Sequence, residues 1–223
     1  MEKLEKENGM EKLMLETLME QQREYFASGA TLPVKVRMEA LSRLEKALQK
    51  QEQILCKALH TDLGKSKTES VMCEIGLVQG EIRWMKQHLK RLCRPKGVKT
   101  PIAQFAAKSY QSPSPYSNVL IMSPWNYPVL LTLEPLVDAI AAGNTAVVKP
   151  SAYAPASANA LKDLLEECFP QEYVAVVLGG REENQVLLQE KFDKIFFTGS
   201  AASWIKRHGW IFRSAISRIQ QKS

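Results

Sequence analysis

The spacing of apolar residues separates a helical first part of the chain from a second part in which strands and helices alternate. A polar, Glu/Lys-rich helical stretch opens the chain, and from Leu41 to Leu92 apolar positions recur mostly every three or four residues, which is the period of amphipathic helices that face a core. Gly64 is suited to end one of these helices, and Ser66 with Glu69 has the spacing of a capping box at the start of the next. Pro95 then ends that helix.

From residue 119 onward, short β-branched runs alternate with helical patterns, and Gly or Pro residues mark the turns between them. The predicted strands are Val119–Met122, Thr145–Lys149, Tyr173–Leu178 and Asp193–Phe197, and the predicted helices are Val129–Ala142, Ala154–Cys168 and Glu182–Glu190. This alternation predicts an α/β fold, in which N-terminal helices precede a Rossmann-like parallel sheet with right-handed crossovers. Such a sheet is a nucleotide-binding architecture in outline.

The loop after the first predicted strand carries the main catalytic candidate. Pro124 and Pro128 restrict the backbone on both sides of Asn126, and a rigidly held amide is suited to donate a hydrogen bond to an oxyanion. Ligands of α/β sheets bind beyond the carboxyl ends of strands, where Asn126 is expected. The alternative is a rigid turn, in which Trp125 packs and Asn126 bonds its own backbone.

Two other strand ends carry candidates for dinucleotide binding. Lys149 ends a strand, and a cation there can reach ribose hydroxyls or a phosphate, although a strand-end lysine can also lie in solvent. Gly199 follows the last strand, where glycine permits close backbone approach and free amides attract a pyrophosphate. Gly179 and Gly180 follow another strand and serve either the cofactor or only a turn.

Three ordered segments resemble signatures of the aldehyde dehydrogenase superfamily. They are Pro124-Trp125-Asn126-Tyr127-Pro128, Val148-Lys149-Pro150-Ser151 and Phe196-Phe197-Thr198-Gly199-Ser200. The likeness is greatest to the class 3 type, a compact branch that acts on fatty and aromatic aldehydes. It covers about residues 25–202, roughly the first half of a family member, and it implies an incomplete form of that family's fold.

The resemblance implies oxidation of an aldehyde to a carboxylic acid with NAD or NADP. On the matching positions, Asn126 would stabilise the oxyanion. The cofactor would be bound by Ser123, Pro124, Trp125, Lys149, Ser151, Gly180, Gly199 and Ser200. The family usually has a Glu soon after the Lys-Pro pair, where this chain has Ser151, Ala152 and Tyr153. Losing that carboxylate weakens a preference for NAD and removes repulsion against a 2′-phosphate, so NADP stays open.

The chain also departs from the family's pattern. It has no counterpart of the nucleophilic cysteine motif or of the Glu-Leu-Gly-Gly segment that holds the general base. Its cysteines are Cys56, Cys73, Cys93 and Cys168, all on predicted helices or a helix end, and we assign the nucleophile to none of them. We therefore expect these 223 residues to be inactive on their own. No CxxC pair is present, so neither a metal site nor a disulfide framework is predicted.

The net charge of +6 is concentrated near the C-terminus. Residues 201–223 contain five basic residues and no acidic ones, which leaves 25 basic against 24 acidic residues elsewhere. The body of the chain is nearly neutral, so its overall basicity does not indicate nucleic-acid binding. After Gly199 the family's Val and second Gly are replaced by Ser203 and Trp204. One interpretation is a frameshift or premature end after about Ala202, and the other is a basic amphipathic helix that lies on a membrane or a partner.

These patterns divide the chain into segments. They are an N-terminal helical extension (1–24), the helical part of a cofactor-binding domain (25–98), a partial oligomerisation hairpin (99–118), a Rossmann-like domain (119–202) and a basic tail (203–223). One irregular strand is predicted around Phe105–Tyr110 in the hairpin segment. The hairpin's role and a homodimer of the full-length protein are implied by the resemblance alone.

The first residues lack a secretory apolar segment, so the cytoplasm is expected. Two function classes follow: an aldehyde dehydrogenase by descent, and a non-catalytic nucleotide-binding or interaction fragment.

The two interpretations of the tail predict different behaviour on vesicles. If residues 203–223 form a basic amphipathic helix, the full chain should co-sediment with phosphatidylserine vesicles more strongly than a chain ending at Ala202, and added salt should weaken the difference. The frameshift interpretation predicts equal sedimentation. Equal binding of the two chains would rule out the membrane helix.

Overall fold

The computed structural model describes residues 2–104 and 106–199 of the chain. Its helices are α1 (Glu2–Ala27), α2 (Val34–Lys50), α3 (Glu52–Leu63), α4 (Lys67–Ser70), α5 (Gly76–Leu92), α6 (Leu130–Ala142), α7 (Pro155–Cys168) and α8 (Arg181–Gln189). Its strands are β1 (Lys96–Val98), β2 (Ser109–Gln111), β3 (Asn118–Met122), β4 (Thr145–Lys149), β5 (Val174–Val176) and β6 (Lys194–Phe197). A π-helical turn, Val71–Ile75, joins α4 to α5. The expectations for Phe105, Ser200 and the tail at 203–223 fall outside the described residues.

The larger sheet has the strand order β5-β4-β3-β6, and each neighbouring pair is parallel. The chain therefore moves outward from β3 to β5 and then returns, so that β6 lies on the other side of β3. This reversal is a topological switch point, and crevices at such points are the usual ligand sites of open α/β sheets. The predicted α/β class with a parallel sheet is confirmed.

Apolar residues on the two faces of the sheet build two cores. On one face, Val119, Ile121 and Val148 pack against α2, α5, α6 and α7 in the larger core. On the other face, Leu120, Met122 and Val147 form a smaller core with residues of α1 and α8. Because both faces are covered, β3 and β4 are buried along their whole length, which explains their nearly continuous apolar sequences.

The observed helix ends agree with the sequence where local chemistry determines them. Gly64 adopts a left-handed conformation with φ of +68°, and its N–H donates to the His60 carbonyl. The Ser66 hydroxyl accepts from the Glu69 N–H at 3.1 Å, which is the N-cap contact that the spacing predicts. No helix among the described residues has both the length and the apolar character needed to cross a membrane.

The structure differs from the sequence predictions in the length of β5, which covers Val174–Val176 and not the predicted Tyr173–Leu178, and at two further places. Lys96–Val98 forms β1, which pairs antiparallel with β2, whereas a single strand is predicted around Phe105–Tyr110. All three residues of β1 are exposed, so no apolar alternation marks the strand in the sequence. Sequence signals at Ser66 and Pro95 predict one regular helix between them, but the π-helical turn interrupts it before α5.

Gly143, which ends α6, tests how strictly a left-handed glycine is required. Its φ is +93°, and an added Cβ would lie 3.1 Å from Cζ of Arg37. Arg37 is itself buried and donates hydrogen bonds to the carbonyls of Thr31 and Ala141, so it has little room to move. Gly64 offers a matched control, since it is also left-handed but has no such neighbour within 4 Å.

We expect Gly64→Ala to lower the free energy of unfolding by about 1 kcal/mol through backbone strain alone. Gly143→Ala should cost about 2–3 kcal/mol, because the displacement of Arg37 adds to that strain. Urea unfolding of the two variants and the parent chain measures both values. Equal losses at the two glycines would show that the contact with Arg37 is unimportant.

Candidate functional site

A cleft of about 530 Å³ lies at the carboxyl edge of the parallel sheet. The loops that follow β3, β4, β5 and β6 all contribute to its walls. Seven residues that the sequence singles out line it together: Ser123, Pro124, Trp125, Lys149, Ser151, Gly180 and Gly199. Ser200 is outside the described residues. The topology thus gathers residues that are far apart in the sequence, as expected for parallel strands whose ends share one edge.

Lys149 is buried in the wall of the cleft, with only 3% of its surface exposed. Its Nζ donates to the carbonyl of Gly179 at 2.6 Å and to that of Pro150 at 3.1 Å. These bonds compensate part of the cost of removing an ammonium group from water. They also tie the end of β4 to the loop after β5, so the alternative of a solvent-exposed lysine is wrong.

The loop of residues 123–128, here called the Asn126 loop, begins inside the cleft and ends outside it. Ser123 is buried, and its hydroxyl lies 2.5 Å from that of Thr132 on α6. Trp125 lines the cleft and is 53% exposed, so about half of its surface is open to solvent. Asn126 is exposed beside it, and its side-chain amide has no hydrogen-bond partner among the described residues.

The position of Asn126 is set through its backbone. Its carbonyl oxygen accepts a hydrogen bond from Lys65 Nζ at 2.9 Å. The ammonium of Lys65 also lies 4.0 Å from the centre of the Tyr127 ring, a cation–π contact. The side chain of Asn126 is therefore left available to a ligand, while Lys65 holds its main chain in place.

The glycines after β5 allow a tight turn against α8. Gly179 has a φ of +115°, and an added Cβ would lie 2.6 Å from Oε2 of Glu183. The Glu183 carboxylate accepts from the N–H of Gly180 at 2.5 Å. Both the conformation and the space favour glycine at position 179, so a structural reason for Gly179 stands beside the cofactor hypothesis.

Gly199 lies at the far side of the cleft, after β6. The N–H of the preceding Thr198 donates to the Met122 carbonyl at 3.1 Å and extends the pairing of β6 with β3. An added Cβ at Gly199 would lie 2.6 Å from Cζ of Phe197, so a side chain at this position would force that ring to move.

The lining residues that the sequence does not assign to the site include Tyr153, Arg181 and Asn184. Arg181 begins α8 directly after the two glycines, and that position next to a strand end is a signal that was available in the sequence. The charged residues that line the described cleft, Lys149 and Arg181, are both cationic. Asn184 lacks a partner for its buried Oδ1 among the described residues. The cleft therefore suits an anionic ligand that can also form hydrogen bonds.

The four cysteines lie away from the described lining of the cleft. Burial raises the pKa of the Cys168 thiol to about 11, and the neighbouring Glu167 carboxylate adds to the effect. Burial also raises the pKa of the Cys56 thiol, and the negative charge of Glu52 raises it further. Cys93 lines a separate cavity of about 260 Å³. The described residues contain no cluster of His, Cys, Asp or Glu that could hold a metal ion.

Fold and cleft together define an α/β protein with a ligand site at the switch point of a parallel sheet. A sequence profile of the aldehyde dehydrogenase family matches residues 7–206. The chain belongs to the aldehyde dehydrogenase family, whose members are oxidoreductases. The family resemblance carried by the three motifs is thereby confirmed.

Individual relatives support the assignment over the same region. The chain is 44% identical over 176 residues to 4,4'-diaponeurosporen-aldehyde dehydrogenase of Staphylococcus aureus, a match that covers 79% of this chain and 38% of the relative. It is 37% identical over 188 residues to aldehyde dehydrogenase family 3 member A2 of Rattus norvegicus, a match that covers 84% of this chain and 39% of the relative. The substrate-bound structure of Staphylococcus aureus AldH matches with a TM-score of 0.83 and 41% identity. This match covers 85% of this chain and 42% of that structure's chain. The chain thus spans about two fifths of the length of these relatives.

The accessibility and acidity of the cysteines make a prediction about their reactivity. At pH 7.5 iodoacetamide should label Cys93 and Cys73, which are partly exposed, well before the buried Cys168. A pKa raised from 9.0 to about 11 lowers the thiolate fraction of Cys168 about a hundredfold at any pH well below 9. Labelling of Cys168 should therefore accelerate as the pH rises toward 11. Peptide mass spectrometry measures each rate.

Labelling in urea provides the control for that experiment, because all four thiols become accessible in the unfolded chain. Labelling of Cys168 as fast as Cys93 in the folded protein at pH 7.5 would contradict the buried, protonated state described here.

Proposed function

We propose that this chain binds NAD⁺ or NADP⁺ in the cleft at the carboxyl edge of the sheet. The observation that carries the proposal is the convergence of four strand-end loops on one cleft whose charged lining is cationic. The cleft's volume of about 530 Å³ lies in the range of small-molecule sites, roughly 300–1,000 Å³. A dinucleotide carries an anionic pyrophosphate and ribose hydroxyls, so its chemistry fits these walls.

Individual residues would hold different parts of the dinucleotide. Lys149 supplies a cation for ribose hydroxyls or a phosphate. The positions after the Lys-Pro pair, where the family usually has a Glu, are Ser151, Ala152 and Tyr153, so no carboxylate there would repel a 2′-phosphate. Gly180 and Gly199 allow the backbone to approach the ligand closely. Trp125, with its exposed indole, provides an apolar wall. This arrangement accommodates NADP⁺ as well as NAD⁺.

For the full-length protein we propose the oxidation of an aldehyde to a carboxylic acid. The nicotinamide cofactor would accept the hydride that the aldehyde carbon gives up, and water would supply the second oxygen of the acid with release of a proton. Asn126 would donate its side-chain N–H to the developing oxyanion, for which it is free among the described residues. None of the four cysteines lines the described cleft, so we propose that these 223 residues bind the cofactor without completing the reaction.

The assembly and location of the protein are proposals as well. The β1–β2 hairpin exposes nearly all of its residues, and by family resemblance it would form part of a contact between subunits of a full-length homodimer. A cytoplasmic location would suit four free cysteines.

Dinucleotide binding can be tested with matched lysine variants. Lys149→Met should weaken NAD⁺ and NADP⁺ binding about tenfold, since a charge-assisted contact is worth about 1.4 kcal/mol or more. Lys194→Met is the control: Lys194 lies at the amino end of β6, away from the cleft, beside the ring of Tyr116. Calorimetry gives the two dissociation constants, and a thermal shift with each dinucleotide gives independent support.

Absence of dinucleotide binding by the parent chain would refute the proposal.

The catalytic part has a separate readout, the formation of NADH or NADPH at 340 nm with a fatty or aromatic aldehyde. We expect no turnover by the purified 223-residue chain. Sustained turnover would show that a nucleophile is present and would contradict our account of the cysteines.

A further inference from the structure

A buried ion pair lies directly behind the Asn126 loop. Lys65 Nζ is 2.5 Å from Oε1 of Glu74, and the two side chains are 8% and 0% exposed. Removing both charges from water is costly, and the pair is tolerated only if further hydrogen bonds satisfy the remaining donors and acceptors. The partners in those further hydrogen bonds therefore indicate which parts of the structure the ion pair stabilises.

The remaining bonds of the pair go to the Asn126 loop and to the start of α6. Lys65 Nζ donates to the Asn126 carbonyl at 2.9 Å and lies over the Tyr127 ring. Glu74 Oε2 accepts from the backbone N–H groups of Val129 at 2.8 Å and Leu130 at 3.1 Å. A carboxylate at this place also suits the partial positive charge of a helix N-terminus. The pair thus grips the middle of the loop and the helix that follows it.

The π-helical turn before α5 carries Glu74. It covers Val71–Ile75. Because each helical residue advances by about 100°, the extra residue of a π turn rotates the side chains that follow it relative to α4. An added Cβ at Gly76 would lie 2.7 Å from the Val71 carbonyl oxygen, so the turn also depends on glycine. Such turns are rare and occur frequently at functional sites.

We propose that Lys65 and Glu74 are positioning residues that hold the Asn126 loop at the mouth of the cleft. They act on the backbone of Asn126 and on the first turn of α6, and they leave the Asn126 amide and the Trp125 indole facing outward. The part of this inference that concerns the ligand rests on the proposed dinucleotide site. The part that concerns the loop stands on its own contacts.

Lys86 and Glu45 provide a matched control pair. Their charged atoms are 2.7 Å apart and their side chains are 27% and 18% exposed, so this pair is also partly buried. It links α5 to α2 and has no bond to the described Asn126 loop. Lys86→Met therefore removes the same type of side chain without touching the loop.

The test compares Lys65→Met with Lys86→Met in the full chain. Amide hydrogen exchange should accelerate at least tenfold across residues 123–131 in Lys65→Met and remain unchanged there in Lys86→Met. Dissociation constants for NAD⁺ and NADP⁺ should rise about fivefold to tenfold in Lys65→Met only. Equal exchange in the two variants would overturn the proposal.

The double variant Lys65→Met/Glu74→Gln separates positioning from simple charge neutralisation. Its pair is uncharged, and the side-chain carbonyl introduced at position 74 can still accept from the α6 amides, so the variant also guards against misfolding of Lys65→Met. If Lys65 serves only to neutralise Glu74, exchange in residues 123–131 should return to the parent rate. Positioning through the Asn126 carbonyl predicts that it stays fast. A return to the parent rate would overturn the proposal.

Dinucleotide titration of the parent chain keeps the two proposals apart. If the parent chain binds neither NAD⁺ nor NADP⁺, the proposed function fails, and the exchange rates still decide whether Lys65 and Glu74 hold the loop. If the dinucleotides bind and the loop exchanges equally in Lys65→Met and Lys86→Met, the site stands and the positioning role fails.

Discussion

The pairing of β6 with β3 is the constraint on which the rest of the site depends. The sheet extends in one direction from β3 through β4 to β5, and only the return of the chain to β6 creates a reversal in strand order. The register Met122↔Phe197 brings the loops after both strands to the same level of the sheet. Because all four strands are parallel, their carboxyl ends share one edge, and the cleft opens there. Without this pairing, the Asn126 loop and Gly199 would not face each other.

Several charged side chains near the site form hydrogen bonds with backbone groups. The Lys149 ammonium donates to the carbonyls of Gly179 and Pro150 in the cleft wall. Two helices near the site obtain N-terminal partners from distant carboxylates: Glu74 for α6 and Asp62 for α7. Such contacts connect the helical N-terminal part of the chain to the sheet. They explain how residues far from the cleft in sequence determine the position of its loops.

Much of the architecture could be predicted from local pattern. Continuous apolar strands, helices with glycine at their ends and residues after strand ends follow short-range rules, and Gly64, Ser66 and Lys149 lie where those rules place them. Contacts between distant segments could not be predicted in this way. The bond from Lys65 to Asn126 joins two loops 61 positions apart in the sequence. The apolar spacing around the π turn that contains Glu74 is that of a regular helix, and the exposed β1 strand carries no apolar alternation. The bond from Lys149 to the Gly179 carbonyl likewise joins residues 30 positions apart.

The central claim is that the switch-point cleft is the dinucleotide site, and amide chemical-shift mapping tests it most directly. Titration of isotopically labelled chain with NADP⁺ should shift the amides of Trp125, Lys149, Ser151 and Gly180 together, with one saturation curve. The amides of β1, at Lys96–Val98, should remain unchanged. Shifts that cluster instead at the separate cavity beside Cys93, or that spread without saturating, would contradict the assignment of this cleft.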